Sequence, residues 1–349
     1  MYKIYIEFPF VEGPYGGGNQ FLKALSDIWR KQGVYAETVE EADIILINSI
    51  QAFADYKKIC RMRYKNPQKL FVHRIDGPIF LIRDGNKHID YGIGIINDYL
   101  CDASIFQTEW NRQRCAENGI KDSKPSVVIC NGSNRLIFHE DSSKSIFGHN
   151  KINIIATSWS NNWNKGFAYY QYLDENLDKE RFQFIFVGNS PVEFKNSIQL
   201  PPVESTKLAE YLQSADIYVT ASKKDPCSNS LIEALNCGLP AAVYADGGHP
   251  YILQDGGECF KSKEEMIQAI EKIAGSLQEY RNNVPKYDIE DIAVSYYQFI
   301  LQNTKEKTIN RKTVVYINTL IAMFRINLCN IWGRLEKWTK KIGDLRYML

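Results

Sequence analysis

The stretch Lys223–Pro250, KKDPCSNSLIEALNCGLPAAVYADGGHP, decides the fold. It follows DIYVTAS (216–222), which reads as a buried strand because β-branched and aromatic residues fill it and turn formers follow. KKDPCSN then turns the chain, with Pro226 fixing φ just before a helix and Ser228 or Asn229 placed to cap it. The helix is SLIEALNCG; Gly238 closes it, and Pro240 keeps it from continuing. AAVYA (241–245) is the next strand, and GGHP (247–250) a second sharp turn. Strand, helix and strand in this order make a βαβ unit and therefore a parallel sheet.

The same stretch carries chemistry. Backbone N–H groups left free at the helix start, helped by the helix dipole, favour an anion such as a phosphate or diphosphate. Asp225 precedes the helix, so its carboxylate can accept hydrogen bonds from hydroxyls. Glu233 lies inside the helix, and a carboxylate suits a ribose diol because it accepts from both hydroxyls at once. Taken alone, an Asp before a helix is ordinarily a cap and a helical Glu ordinarily a solvated face. Two acids flanking one anion site describe a nucleotide-sugar pocket.

Outward from this unit the rhythm repeats. KIYIEF (3–8), DIILINS (43–49), KLFVHRI (69–75), ASIFQT (103–108) and SVVIC (126–130) alternate with helix-like stretches. HEDSSKSIFGHN (139–150) is polar and aperiodic, a linker by composition. KINIIATS (151–158) and FQFIFVG (182–188) then restart the alternation. The expectation is an α/β chain of two Rossmann-like, doubly wound parallel-sheet domains facing a cleft, 1–138 and 151–288. A helix over 289–304 crosses back to the first domain, and a helical tail fills 305–349. Ligands in such sheets sit beyond the carboxyl ends of the strands.

Composition narrows the function. At 349 residues two domains are expected, and a net charge of +1 argues against a nucleic-acid binder. The eight cysteines form no CxxC pair, which fits a reducing cytoplasm, and no metal site is expected. MYKIYIEF at the start reads as a strand, not a signal peptide, and no unbroken apolar run is long enough for a membrane span. Residues 305–349 hold ten Lys or Arg against three Asp or Glu, a net of +7 that leaves −6 elsewhere. There Ile317, Leu320, Phe324, Leu328, Ile331, Leu335 and Trp338 step by three and four along one face, and Asn327, Asn330, Arg334, Lys337 and Lys341 along another. Such a helix packs on the body or a second subunit, or lies on an anionic membrane surface.

With these residues on view, DPCSNSLIEALNCGLPAAV followed by GGHP resembles the signature of the retaining GT-B glycosyltransferases of family 4 (group 1), where an acid and a Glu with seven residues between them precede Gly-Leu-Pro. The family usually has Glu first; here it is Asp225, whose oxygens sit about one methylene further back. The resemblance implies that Asp225 contacts donor-sugar hydroxyls, that the amides of Cys227, Ser228 and Asn229 hold donor oxygens, and that Glu233 holds the ribose. NWNKGFAYYQYL is similar to the family's Lys-Gly segment and makes Lys165 the cation on the diphosphate, with Gly166 beside it; Ser160 stands where the family often has Arg. FVGNSP (186–191), with Gly188, falls where the family places the base pocket, NGSN (131–134) at its Asn-Gly turn, and GGHP at a structural turn.

The N-terminal half offers two further candidates. GPYGGGNQ lacks GxGxxG spacing, since Phe21 stands where the third glycine belongs, so a dinucleotide fingerprint is unsupported. Gly16, Gly17 and Gly18 still let backbone approach a phosphate or sugar closely, or form an acceptor-side loop. HRIDGP (73–78) ends a strand, so His73, Arg74 and Asp76 are expected to reach the cleft; His73 is the nearest match to the family's sugar-contacting histidine, or is simply buried, and Asp76 can steer the acceptor hydroxyl.

Asp-x-Asp, GxSxG, HExxH and the P-loop motif are all missing from the sequence. The expectation is a cytoplasmic, metal-independent, retaining hexosyltransferase using a UDP- or GDP-linked donor as substrate, with no cofactor. Its acceptor would be a saccharide or lipid-linked saccharide in surface polysaccharide, lipopolysaccharide or glycolipid assembly. Two rivals stay open, a non-catalytic nucleotide-sugar-binding scaffold and a GT-B nucleotide-sugar epimerase. A nicotinamide oxidoreductase lacks its fingerprint.

Overall fold

The structure is a computed structural model that describes residues 1–12, 17–83, 87–304 and 311–346. Gly16 of the glycine loop lies outside the described residues. The chain divides into two compact units, one of Met1–Pro9, Trp29–Ile129 and Ser295–Leu349, the other of Phe10–Ile28 and Cys130–Val294.

The first unit holds a parallel sheet of five strands in the order β1 (Ile4–Glu7), β2 (Ile44–Asn48), β3 (Leu70–Ile75), β4 (Ala103–Phe106) and β5 (Ser126–Val128). An isolated parallel bridge from Ile4 to Tyr35 on the far side of β1 supplies the reversal of a doubly wound sheet. β2 and β3 are buried along their whole length, as strands covered on both faces must be. Alternation sends Ile45, Ile47 and Phe71 to one face, where Ile95, Ile96 and Leu100 of the helix Lys87–Leu100 and Ile59 and Cys60 of the helix Tyr56–Lys65 cover them.

The C-terminal helix Arg311–Arg346 lies against these same two helices. Val315, Thr319, Ala322 and Ile326, which step by three and four, are its buried stripe, and Gly333 continues it against the His88 ring. The apolar residues singled out in sequence, Ile317 to Trp338, are on the opposite face and exposed. The helix therefore packs on the body, but through small side chains instead of its large ones. Close approach to another helix selects small residues, which makes the buried face the less hydrophobic of the two. Among the described residues, Lys312–Glu336 is the one helix long and apolar enough, by length and composition, to cross a membrane.

The second unit is a six-stranded parallel sheet. Its strands are β6 (Ile152–Ser158), β7 (Phe182–Gly188), β8 (Ile198–Leu200), β9 (Ile217–Thr220), β10 (Ala241–Tyr244) and β11 (Gly257–Phe260), in the order β11-β10-β9-β6-β7-β8. Ile155, Ile185, Val187 and Tyr218 point to one face, under Leu231, Ile232 and Leu235 of the helix Asn229–Asn236. Ile154, Ala156, Phe184, Phe186 and Ile217 point to the other, under Phe167, Tyr170 and Ile270. The winding reverses between β6 and β9, which pair directly through Ile154–Ile217 and Ile155–Tyr218. Chains leaving these neighbouring strands run to opposite faces and open a crevice at their carboxyl ends.

Candidate functional site

Both loops at that switch point are tightly specified. After β6, Ser158 and Ser160 bond each other, and Asn162 caps the short turn Trp163–Lys165 by accepting from the Asn164 amide. Gly166 follows with φ 89°, and a Cβ there would lie 2.4 Å from the Ala221 carbonyl oxygen, so only glycine lets the two loops touch. After β9, the Lys223 amide donates to the Asn164 carbonyl at 2.7 Å. Lys224 then takes φ 55°, a left-handed conformation that non-glycine residues rarely adopt, held by its amide donating to Asp246 at 2.9 Å.

This strained step delivers Asp225. Its carboxylate accepts from Lys165 Nζ at 3.1 Å, and its carbonyl accepts from the Gly248 amide at 2.8 Å. Gly247, with φ 69°, comes so close that a Cβ would sit 2.3 Å from the Asp225 carbonyl oxygen. The GGHP turn thus clamps the Asp225 backbone. Burial pushes the Asp225 carboxyl up, but the Lys165 charge, the His249 ring and the Cys227 amide outweigh it and hold it below the usual range. The acid is therefore an anion at neutral pH.

His249 is the residue that sequence reasoning missed, having read GGHP as a turn alone. Its ring is fully buried, Nδ1 donates to the Tyr244 carbonyl at 3.2 Å, and Nε2 has no hydrogen-bond partner. Burial, opposed by Asp225, lowers its pKa, so the ring stays neutral beside the carboxylate.

Ser228 caps the helix Asn229–Asn236, its Oγ accepting from the Leu231 amide. Of the three amides expected to meet donor oxygens, that of Cys227 points at the Asp225 carboxylate instead. Asn229 Oδ1 accepts from Asn131 Nδ2 at 2.8 Å, and its own Nδ2 fills the space where a Cβ on Gly17 would be. Gly17 is thus the glycine that close approach requires, whereas Gly18 faces open space.

Glu233 is on the side of its helix opposite the buried Leu231, Ile232 and Leu235, partly exposed. Its side chain makes no hydrogen bond or ion pair with any described residue, and burial pushes its carboxyl up to about 8. It lines a cavity of about 420 Å³ together with Gly17, Ser133, Asn134, Glu204 and Asn229. Gly188 ends β7 with φ 127°, and a Cβ there would lie 1.9 Å from the Ser158 carbonyl oxygen. Trp159 beside it is exposed, and its carbonyl accepts from Asn189 Nδ2.

The N-terminal candidates are placed differently. His73 falls on the same face of β3 as Phe71 and is fully buried beneath the helix Lys87–Leu100. Nδ1 donates to Asn97 Oδ1 and Nε2 accepts from Ser49 Oγ, each at 3.0 Å, and burial lowers its pKa to about 4. With both nitrogens occupied it is a structural histidine as placed, which corrects the expectation that it reaches a ligand. Arg74 is buried too, donating to Asn48 and to Asp76. Asp76 alone of the three keeps part of its side chain exposed, at 22%.

Among the described residues no group of three or more His, Cys, Asp or Glu is arranged to hold a metal ion.

Comparison with known proteins agrees with this architecture. Residues 179–290 match the model of the glycosyl transferases group 1 family. HepE from Anabaena, solved with UDP-glucose, superposes with a TM-score of 0.70 at 12% identity, covering 86% of this chain and 100% of its own. Sucrose-phosphate synthase from Thermosynechococcus elongatus gives 0.67 at 13% identity, over 86% and 99%. The lipopolysaccharide outer core galactosyltransferase WaaB gives 0.61 at 12% identity, over 86% and 99%. No curated protein matches at the sequence level. The chain therefore has the GT-B fold, and its residues 179–290, with Asp225 and Glu233 among them, match the glycosyl transferases group 1 family model.

Proposed function

We propose that this protein moves a sugar from a nucleoside diphosphate donor, UDP- or GDP-linked, to an acceptor hydroxyl, with retention at the anomeric carbon and without a metal. The observation that carries the reading is the Lys165–Asp225 pair held at the sheet's switch point, with the unpartnered Glu233 eight positions further on. A carboxyl group without side-chain partners, half-withdrawn from water beside a cavity, is what a ribose diol would satisfy, the two donated hydrogen bonds favouring its ionised form. The Lys165 ammonium and the Ser228 and Asn229 amides would take the charge that grows on the diphosphate as its bond to the sugar breaks. The acceptor oxygen then bonds to the anomeric carbon, and its proton leaves with the diphosphate. Asp225 would orient the sugar through its hydroxyls. Asp76 remains the candidate for steering the acceptor hydroxyl. No cofactor takes part.

The acceptor we infer is a saccharide or lipid-linked saccharide, in surface polysaccharide, lipopolysaccharide or glycolipid assembly, with the protein at the cytoplasmic face of a membrane. The likeness to WaaB and HepE supports a sugar-transferring fold. Ser160, standing where the resemblance implies an Arg, favours a second reading: a binder that holds nucleotide without turnover.

Thermal shifts with UDP, GDP and their sugars, on wild type and Glu233→Ala, test the donor site. Ligand at about 100 times Kd adds about 2.7 kcal/mol, a shift of several degrees. One nucleotide should stabilise wild type and not the variant; a shift that survives Glu233→Ala places the ribose elsewhere. Product analysis with donor alone and then with acceptors separates transferase, epimerase and binder.

A further inference from the structure

The C-terminal helix turns its hydrophobic side to solvent. Ile317, Leu320, Phe324, Leu328, Ile331 and Leu335 run down the face opposite the buried Ala322 and Ile326, Phe324 being 65% exposed and Ala322 and Ile326 0%. Val314, Ile321 and Trp332 widen the stripe on one side, and Trp338 extends it at its far end, all exposed. At 100° per residue these positions fill an arc of about 120° that contains no charged residue over Val314–Trp338. Exposed Lys312 and Arg334 stand on one shoulder of the arc and Arg325 on the other. The helix Arg311–Arg346 carries eight Lys or Arg and two Asp or Glu, net +6.

A stripe this long and apolar on a soluble surface marks a contact, and its charge decides with what. A second copy would bring the same positive charge to the seam. An anionic bilayer brings the opposite charge, with headgroups for the cations and acyl chains for the stripe. Tryptophans suit that boundary, since the ring is apolar and the N–H polar. Beside Arg334 a cavity of about 550 Å³, lined by Asp55, Lys57, Asn327 and Asn330 as well, gives the shoulder a polar recess of headgroup size. Although Lys312–Glu336 has the length and composition of a span, it lies lengthwise on the helices Tyr56–Lys65 and Lys87–Leu100. One face stays in the protein core, which a helix surrounded by lipid cannot do.

We propose that this helix docks the protein flat on an anionic membrane surface, with its apolar stripe in the headgroup–acyl boundary and its basic shoulders on lipid phosphates. This deepens the reading of a membrane-presented acceptor but does not use the donor site, so the two fail separately. A chain lacking 305–349 is a poor test because it also strips Ala322 and Ile326 from the core. The exposed face can be changed without touching that core.

The full chain should float with vesicles of phosphatidylcholine mixed with phosphatidylglycerol, far less with phosphatidylcholine alone, and detach as salt rises. Phe324→Glu with Leu328→Glu should weaken flotation at least about tenfold, and Lys312→Glu with Arg334→Glu should do so only on anionic vesicles. Unfolding midpoints and circular dichroism matching wild type would show both variants folded. Flotation unaffected by either variant, or none by wild type, overturns the proposal. So does retention in the bilayer through alkaline carbonate, which marks a span, or a solution dimer that Phe324→Glu splits, which marks a second copy as the occupant.

Discussion

At the scale of single residues, two glycines near the site differ in kind. Gly188→Ala forces φ 127° on a side chain and a Cβ into the Ser158 carbonyl, so it should cost about 1–3 kcal/mol or more, read from the denaturation midpoint. Gly18→Ala meets open space inside a helix and should change stability by no more than about 1 kcal/mol, in the stabilising direction. Two titratable groups give pH dependence of opposite sign. Glu233 keeps its proton up to about 8 when folded, against an ordinary 4.5, so stability contributed below 4.5 is lost as pH rises through about 8. His73 is held neutral down to about 4, against 6.5, so stability present above 6.5 is lost as pH falls toward 4. Glu233→Gln should remove the alkaline loss and leave the acid loss in place, a comparison made by unfolding both proteins across that range. Residue placement was legible where one motif fixed it: Lys165 meets Asp225, and Glu233 lines a cavity. It was not where sheet parity decides: His73 sits two residues before the end of β3, and the face it shares with Phe71 is the packed one.

Among elements, the central strands were legible because β-branched runs name them. The edge strands β8 and β11 were not, being Ile198–Leu200 and Gly257–Phe260, too short for alternation to show. In the helix Lys87–Leu100, Gly92 and Gly94 weaken the helical pattern. Their reason is steric, since a Cβ on Gly92 would lie 2.0 Å from the Phe53 ring and one on Gly94 2.4 Å from the Gly119 carbonyl oxygen. In the C-terminal helix the periodicity visible in sequence belongs to the exposed face, while the small residues of the buried stripe give no such signal. Gly333→Val should therefore loosen this helix, because the added atoms meet the His88 ring 2.6 Å away. A loss of about 1–3 kcal/mol is expected, with faster hydrogen exchange over Arg311–Arg346 and none of the change in the second unit's sheet.

For the whole molecule, charge and chain order matter more than any contact. The chain carries net +7 in 305–349 against −6 elsewhere, so an anionic surface attracts the basic segment and repels the remainder. Ending the chain at Thr304 should expose Ile95, Ile96 and Cys60, speeding hydrogen exchange in the helices that carry them and lowering solubility. The division of the chain also sets a timetable for the ribosome. Every segment of the second unit has been made once Val294 emerges, whereas the first unit, begun at Met1, still lacks its final helix. The part of the protein started first is thus finished last, with Ile95 and Ile96 awaiting cover through some two hundred further residues of synthesis. A nascent chain stalled after Val294 would carry one completed unit and one open to chaperones.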